Sequence, residues 1–307
     1  MIRPMSRGQI VTVTGPIPPD ELGPTDAHEH LFLETPAQPG EGFSDVNRAE
    51  VEVEEGAATG IRAIVELTPI GLGRRPDLLR ALSESTGVQI IAASGYHRDA
   101  HYASDDWVCR ASVEQLTERV LVELREGMDG TDIRAGVMKG GASHDEISSG
   151  EERRLRAIAR ASHETGAPLV VHTEAATCGH EIVDLLLDEG ATADRITLAH
   201  LDRNMDVPLH AELVQRGVSL VYDTIGREKY APDEARIEHI ERMVAAGHAG
   251  SLMLGLDLGR PDYHRAWGGG PGLRHLMADF VPGLRARIGD EVNRLLVDNP
   301  RRAFTWT

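Results

Sequence analysis

The chain is short of three things, and each shortage removes a class of explanation. It holds only two cysteines in 307 residues, Cys109 and Cys178. They lie far apart with no Cys-x-x-Cys spacing, so neither a disulfide nor a thiolate metal site is expected. Cations are scarce beside acids: 32 Lys plus Arg against 49 Asp plus Glu give a net charge of −17. That balance disfavours nucleic acid or an anionic membrane as a partner, and leaves room for an anionic small molecule only where cations gather locally. Long apolar runs are missing too. No stretch approaches membrane-spanning length, and residues 1–8 lack the apolar core of a signal peptide, so a cytoplasmic location is expected.

What the chain does have is a core and a repeating theme. At 41% hydrophobic residues it can bury a sizeable interior, as two small domains or one large barrel. After a short N-terminal β segment (about 9–17) that can form a hairpin, short β-branched runs alternate with amphipathic helices. The runs fall at 25–30, 61–67, 88–93, 133–138, 169–171, 196–199, 218–222 and 252–256. Between them, 76–86, 112–126, 151–165, 181–189, 208–216 and 232–246 carry apolar residues at helical spacing. Gly87, Gly166, Gly190, Gly217 and Gly247 follow five of these helices, as C-terminal caps do. Alternating strands and helices of this kind predict parallel βα units. With no break in composition, the whole chain 1–307 is expected to form one α/β domain, an eight-stranded (β/α)8 TIM barrel. Its active site would lie at the C-terminal ends of the strands.

Polar residues end several of those strands. His28 and His30 are two apart on the first strand, so both side chains face one side while Glu29 faces the other. Lys139 ends the fourth strand, His172 the fifth, His200 the sixth and Asp257 the eighth. Four imidazoles, a carboxylate and a lysine exceed what a single tetrahedral ion needs, so the count points to two divalent ions. An ammonium beside two cations would be repelled. Reaction of Lys139 with carbon dioxide gives an anionic carbamate (N6-carboxylysine) able to touch both ions; the alternative is a free Lys139 paired with Asp257 near one ion.

The chain resembles the phosphotriesterase-related branch of the amidohydrolase superfamily nearly end to end. The resemblance rests on Leu-Gly-Pro-Thr-Asp-Ala-His-Glu-His-Leu at 22–31, Ala-Gly-Val-Met-Lys at 135–139, Val-Val-His-Thr-Glu at 170–174, Ala-His-Leu-Asp-Arg-Asn-Met-Asp at 199–206 and Asn-Pro-Arg-Arg-Ala-Phe at 299–304. It implies that His28, His30 and Asp257 hold one ion, that His172 and His200 hold the other, and that Lys139 bridges them. The ions implied are zinc, or manganese or cobalt. One departure is Gly73-Arg74-Arg75-Pro76-Asp77, where relatives usually carry Gly-Arg-Asp, which leaves the local loop geometry open. The loops at 225–233 and 257–263, with the Gly-rich run 268–272, look like the group acting on phosphorylated sugar lactones. By that resemblance Lys229, Arg260 and Tyr263 grip the substrate phosphate with Tyr96 nearby, although Tyr96 can equally be a pocket wall and the two cations can pair with Asp233 or Asp262 instead.

The implied reaction is opening of a lactone ring by a hydroxide bridging the two metals, with Asp257 passing its proton to the leaving oxygen and His200 and Asp202 relaying it outward. The substrate is expected to be an anionic phosphorylated lactone, and the assembly a homodimer. Two other readings share the sequence: a phosphotriester or acyl-homoserine lactone hydrolase with the same metals, and a non-catalytic ligand-binding barrel.

Overall fold

A computed structural model describes residues 7–307; residues 1–6, part of the stretch that lacks a signal-peptide core, lie outside the described residues. β1 (Ile10–Thr12) and β2 (Gly15–Ile17) form the expected antiparallel hairpin. Eight strands follow, β3 (Thr25–Glu29), β4 (Ala63–Glu66), β5 (Gln89–Gly95), β6 (Val137–Ala142), β7 (Leu169–Thr173), β8 (Ile196–Ala199), β9 (Ser219–Tyr222) and β10 (Leu252–Leu254), each parallel to the next. The Asp257 amide donates to the His28 carbonyl at 2.8 Å, bringing the last strand round to the first. The result is a (β/α)8 barrel.

Helices α1 (Val46–Thr59), α2 (Pro76–Thr86), α3 (Trp107–Arg110), α4 (Val113–Arg125), α5 (Ser149–Thr165), α6 (Gly179–Asp188), α7 (Val207–Gln215) and α8 (Asp233–Ala245) wrap it, and α9 (Val281–Ile288) and α10 (Asn299–Phe304) follow β10. Local chemistry sets their ends. Ser148 and Glu151 form a reciprocal capping box at the start of α5, and Gly166 closes it in a left-handed conformation. Ser112 and Gln115 do the same for α4. α1 escapes periodicity because its buried stripe is Ala49, Glu52, Val53 and Gly56, too small and too polar to stand out.

Two apolar layers hold the barrel. Inside, Ala27, Val65, Ala93, Val137, Val170, Val221 and Met253 fill the lumen, with Ile10, Leu22 and Phe304 packed below them. Outside, a larger cluster seats the helices on the strands. Strand boundaries differ from expectation where turns claim the backbone. The fourth barrel strand, expected at 133–138, begins at Val137, because Met128 pairs with Ile133 and Ala135 with Glu123 in the preceding turn. Lys139 therefore sits within its strand, in register with Gly95 and Val170. No helix among the described residues is long and apolar enough to cross a membrane.

Candidate metal centre

The six expected residues meet at one rim of the barrel. His28 Nε2 and His30 Nε2 lie 3.5 and 3.3 Å from Asp257 Oδ1. Lys139 Nζ is 3.0 Å from His28 Nε2. The His200 ring stands 4.9 Å from that of His28 and 4.4 Å from that of His172. Glu29 turns away, as strand alternation requires, and accepts the Leu258 and His30 amides at 3.0 and 3.1 Å. His200 (φ 66) and Asp257 (φ 48) adopt left-handed backbone, which costs a non-glycine residue on the order of 1–3 kcal/mol and persists where the surroundings fix a side chain's direction. The potential ligand atoms of His28, His30 and Asp257 lie within 4.8 Å of one another, and so do those of His28, His200 and Asp223.

The far nitrogen of every imidazole is held. Asp223, fully buried, binds His28 Nδ1 at 2.6 Å and His200 Nδ1 at 2.8 Å. Thr68 holds His30 Nδ1 at 2.8 Å and donates to Glu66 at 2.5 Å. Glu174 holds His172 Nε2 at 2.9 Å. Contacts of this kind fix the tautomer and direction of a ligating imidazole. Protonation fits as well. Burial, with the Lys139 cation adding to it, lowers His28 to about 3, and burial lowers His30 and His172. Burial alone would raise Asp257, but Arg227, His28 and His200 outweigh it and hold it well below the usual carboxylate range. Neutral imidazoles and an ionised carboxylate are the forms that bind metal. Burial also lowers Lys139 to about 8. Above the centre opens a cavity of about 230 Å³, lined by Arg98, Arg203, Arg227 and Arg260 among others.

A family model described as the phosphotriesterase family matches residues 8–304. The chain belongs to the phosphotriesterase family. It is 30% identical over 324 residues to a phospho-furanose lactonase of Mycoplasmopsis synoviae (strain 53), spanning 96% of this chain and 91% of that protein. The crystal structure of a lactonase from Listeria monocytogenes superposes with a TM-score of 0.92 at 31% identity, covering 97% of this chain and 99% of that one. An organophosphorus hydrolase from Deinococcus radiodurans superposes with a TM-score of 0.87 at 33% identity, covering 99% of both chains. Enzymes of the phosphotriesterase family are binuclear metal hydrolases, and this member is a metal-dependent hydrolase of ester bonds.

Within this family frame the substrate residues separate. Arg260 and Tyr263 line the cavity, and Lys229 donates to the Tyr263 hydroxyl. Arg260 pairs with Glu41 at 2.7 Å, not with Asp233 or Asp262. Tyr96 does not reach the cavity. Its side chain is fully buried and its hydroxyl donates to the Leu116 carbonyl at 2.8 Å, because left-handed Gly95 (φ 89) turns it outward. Asp202 is no outward relay either; it is buried, binding Thr224 at 2.6 Å and Arg236 at 3.1 Å. The Arg74-Arg75 departure stays clear of the cavity: Arg74 is buried against Glu123 and Asp129, and Arg75 faces solvent beside Asp77.

Sequence reasoning missed Asp223, Glu174, Arg227, Arg98 and Arg203. Arg227 donates to Asp257 Oδ2 at 3.1 Å, and Arg98 and Arg203 both grip Glu174 at 3.0 Å. Asp223 carried a usable signal, since it follows the apolar run 218–222 just as the other rim residues follow theirs.

Proposed function

We propose that this enzyme opens the ring of a phosphorylated sugar lactone. The observation that carries the reading is the cavity's composition. Around the candidate metal residues it is walled by arginines, histidines and tyrosines, and among the described residues Leu33 is the one aliphatic side chain in its lining. An acyl chain or an aryl phosphotriester needs an apolar wall, whereas a hydroxylated, phosphorylated lactone needs donors and cations. The lactonase relatives support the same class.

His28, His30 and Asp257 would hold one divalent ion and His172 and His200 the other. Lys139, as the N6-carboxylysine formed with carbon dioxide, would bridge them. Zinc, or manganese or cobalt, would supply a Lewis acid for the carbonyl and a water that ionises near neutral pH. A lysine lowered to about 8 has the neutral amine it needs to attack carbon dioxide, releasing one proton as the N–C bond forms. Asp257 receives the proton of the attacking water and gives it to the ring oxygen as the C–O bond breaks. Arg227 fixes its second oxygen and so sets its aim. His200, held through Nδ1 by Asp223 at 2.8 Å, stands beside Asp257, with that nitrogen 3.8 Å from Asp257 Oδ2. Arg260, Lys229 and Tyr263 hold the phosphate at the rim.

Arg260→Ala tests the substrate class. A charge-assisted hydrogen bond is worth about 1.5–3 kcal/mol. Arg260 must leave Glu41 to make it, so the expected fall in preference for phosphorylated over unphosphorylated lactone is about tenfold, with both metals retained. An unchanged preference would remove the phosphate from the assignment.

A further inference from the structure

Two histidines of the cavity wall take no part in the chemistry above. His97 and His101 lie on the loop after β5, are 6% and 8% exposed, and line the cavity. Their rings stack 3.8 Å apart, and the His97 ring lies 4.8 Å from that of His172. Gly141 makes room for them: a Cβ there would meet the Arg98 nitrogen at 3.0 Å and His97 Nδ1 at 3.3 Å.

The neighbours of each ring set its tautomer. The Arg98 amide donates to His97 Nδ1 at 2.8 Å, so that nitrogen carries no proton and Nε2 carries it. Thr35 Oγ1 accepts the Ala37 amide at 3.2 Å and lies 3.0 Å from His101 Nδ1. Its hydroxyl can donate either to that nitrogen or to the His101 carbonyl at 3.5 Å; directed to the nearer nitrogen, it puts the ring proton of His101 on Nε2 as well. Among the described residues neither Nε2 has a hydrogen-bond partner, and neither is shut off from the cavity. Two N–H donors therefore face the space above the metal residues, three strands round the barrel from the loop bearing Arg260 and Tyr263.

We infer that His97 and His101 are specificity-determining residues, donating from Nε2 to the ring or hydroxyl oxygens of the substrate while Arg260 and Tyr263 hold its anionic end. The inference rests on the lactone reading and adds that the lactone is hydroxylated. The two stacked rings act together, because with only one of them engaged its neighbour's donor would stay unmet.

Binding and turnover test it together. Metal-loaded wild type is titrated by calorimetry with ribose 5-phosphate and with its 2-deoxy counterpart, and kcat/KM is measured on a phosphorylated hydroxylated lactone and on unsubstituted butyrolactone. Wild type should bind the hydroxylated sugar phosphate several-fold tighter than the deoxy one. His97→Phe and His101→Phe should erase that preference and lower the hydroxylated-to-unsubstituted ratio of kcat/KM about tenfold, chiefly through KM. His97→Asn, which keeps a donor, should restore part of it, and metal content should match wild type in every variant. Equal affinity of wild type for the two sugar phosphates would overturn the inference while leaving lactone opening intact. A wild type that opens neither lactone would overturn both. Parallel losses on both lactones, or lost metal, would show that the histidines only support His172.

Discussion

At the scale of the residue, the clearest fact is one of scarcity. Of 32 cationic residues only Lys139 and Lys229 are lysines; Lys139 lines the cavity, and Lys229 donates to the hydroxyl of Tyr263, which lines it too. Where charge suffices this chain uses arginine; a guanidinium cannot serve as the nucleophilic amine a carbamate needs. Protein equilibrated with ¹³C-bicarbonate should show a single carbamate resonance, absent in Lys139→Ala and kept in Lys229→Ala. Lys139→Ala should also lose most bound metal, with partial recovery of activity in a small carboxylic acid. Full metal content in that variant would show that Lys139 is no ligand. Asp223 is the second test at this scale. It steadies His28 and His200 at once, so Asp223→Asn should weaken metal affinity about 10- to 100-fold without changing the fold, measured by chelator competition. The candidate metal residues were legible because each ends or follows an apolar run. Glu174 and Thr68 were not, since which side chain backs which imidazole is decided by strands distant in sequence. Tyr96 misled because one left-handed glycine exchanges the facing of adjacent residues.

At the scale of the element, the strands and most helices follow from periodicity and caps, and the deviations have local causes. β6 starts late because a turn consumes its first residues, and α1 hides because its buried face includes Glu52 and Gly56. The same tight geometry makes a prediction. A Cβ on Gly95 would meet the Lys139 carbonyl well inside contact distance and its amide nitrogen at 2.9 Å. Gly95→Ala should therefore cost more than about 2 kcal/mol in denaturant unfolding and reduce metal content. Gly87→Ala, also left-handed but with nothing within 4 Å of the added Cβ, should cost only about 1–2 kcal/mol and leave the metals in place. Equal costs would mean that the β5–β6 contact does not position Lys139.

At the scale of the molecule, a strongly acidic chain concentrates arginines around one cavity, which is why net charge alone could not name its substrate. Outside the lining of that cavity, His210 and His239 sit in the core with Tyr222, each lowered chiefly by burial, His210 to about 3 and His239 to about 4. The unfolded chain binds protons on these rings below about 6.5 while the folded one does not. Their contribution to stability is thus intact above pH 6.5 and falls away as pH drops toward 4. The buried Asp26, which burial raises to about 8, has the opposite slope, so the readable quantity is a difference. His239→Gln should lose less stability than wild type between pH 7 and pH 4.5, by on the order of 2 kcal/mol; identical slopes would mean that the ring titrates normally.

The central claim, a two-metal hydrolase that opens phosphorylated lactones, is met most directly by metal titration of the stripped enzyme. Protein freed of metal by a strong chelator should be inactive on a phosphorylated furanolactone. Its activity should return with zinc, manganese or cobalt and level off at about two ions per chain. Full activity in the stripped protein, or saturation at a single ion, would contradict the account.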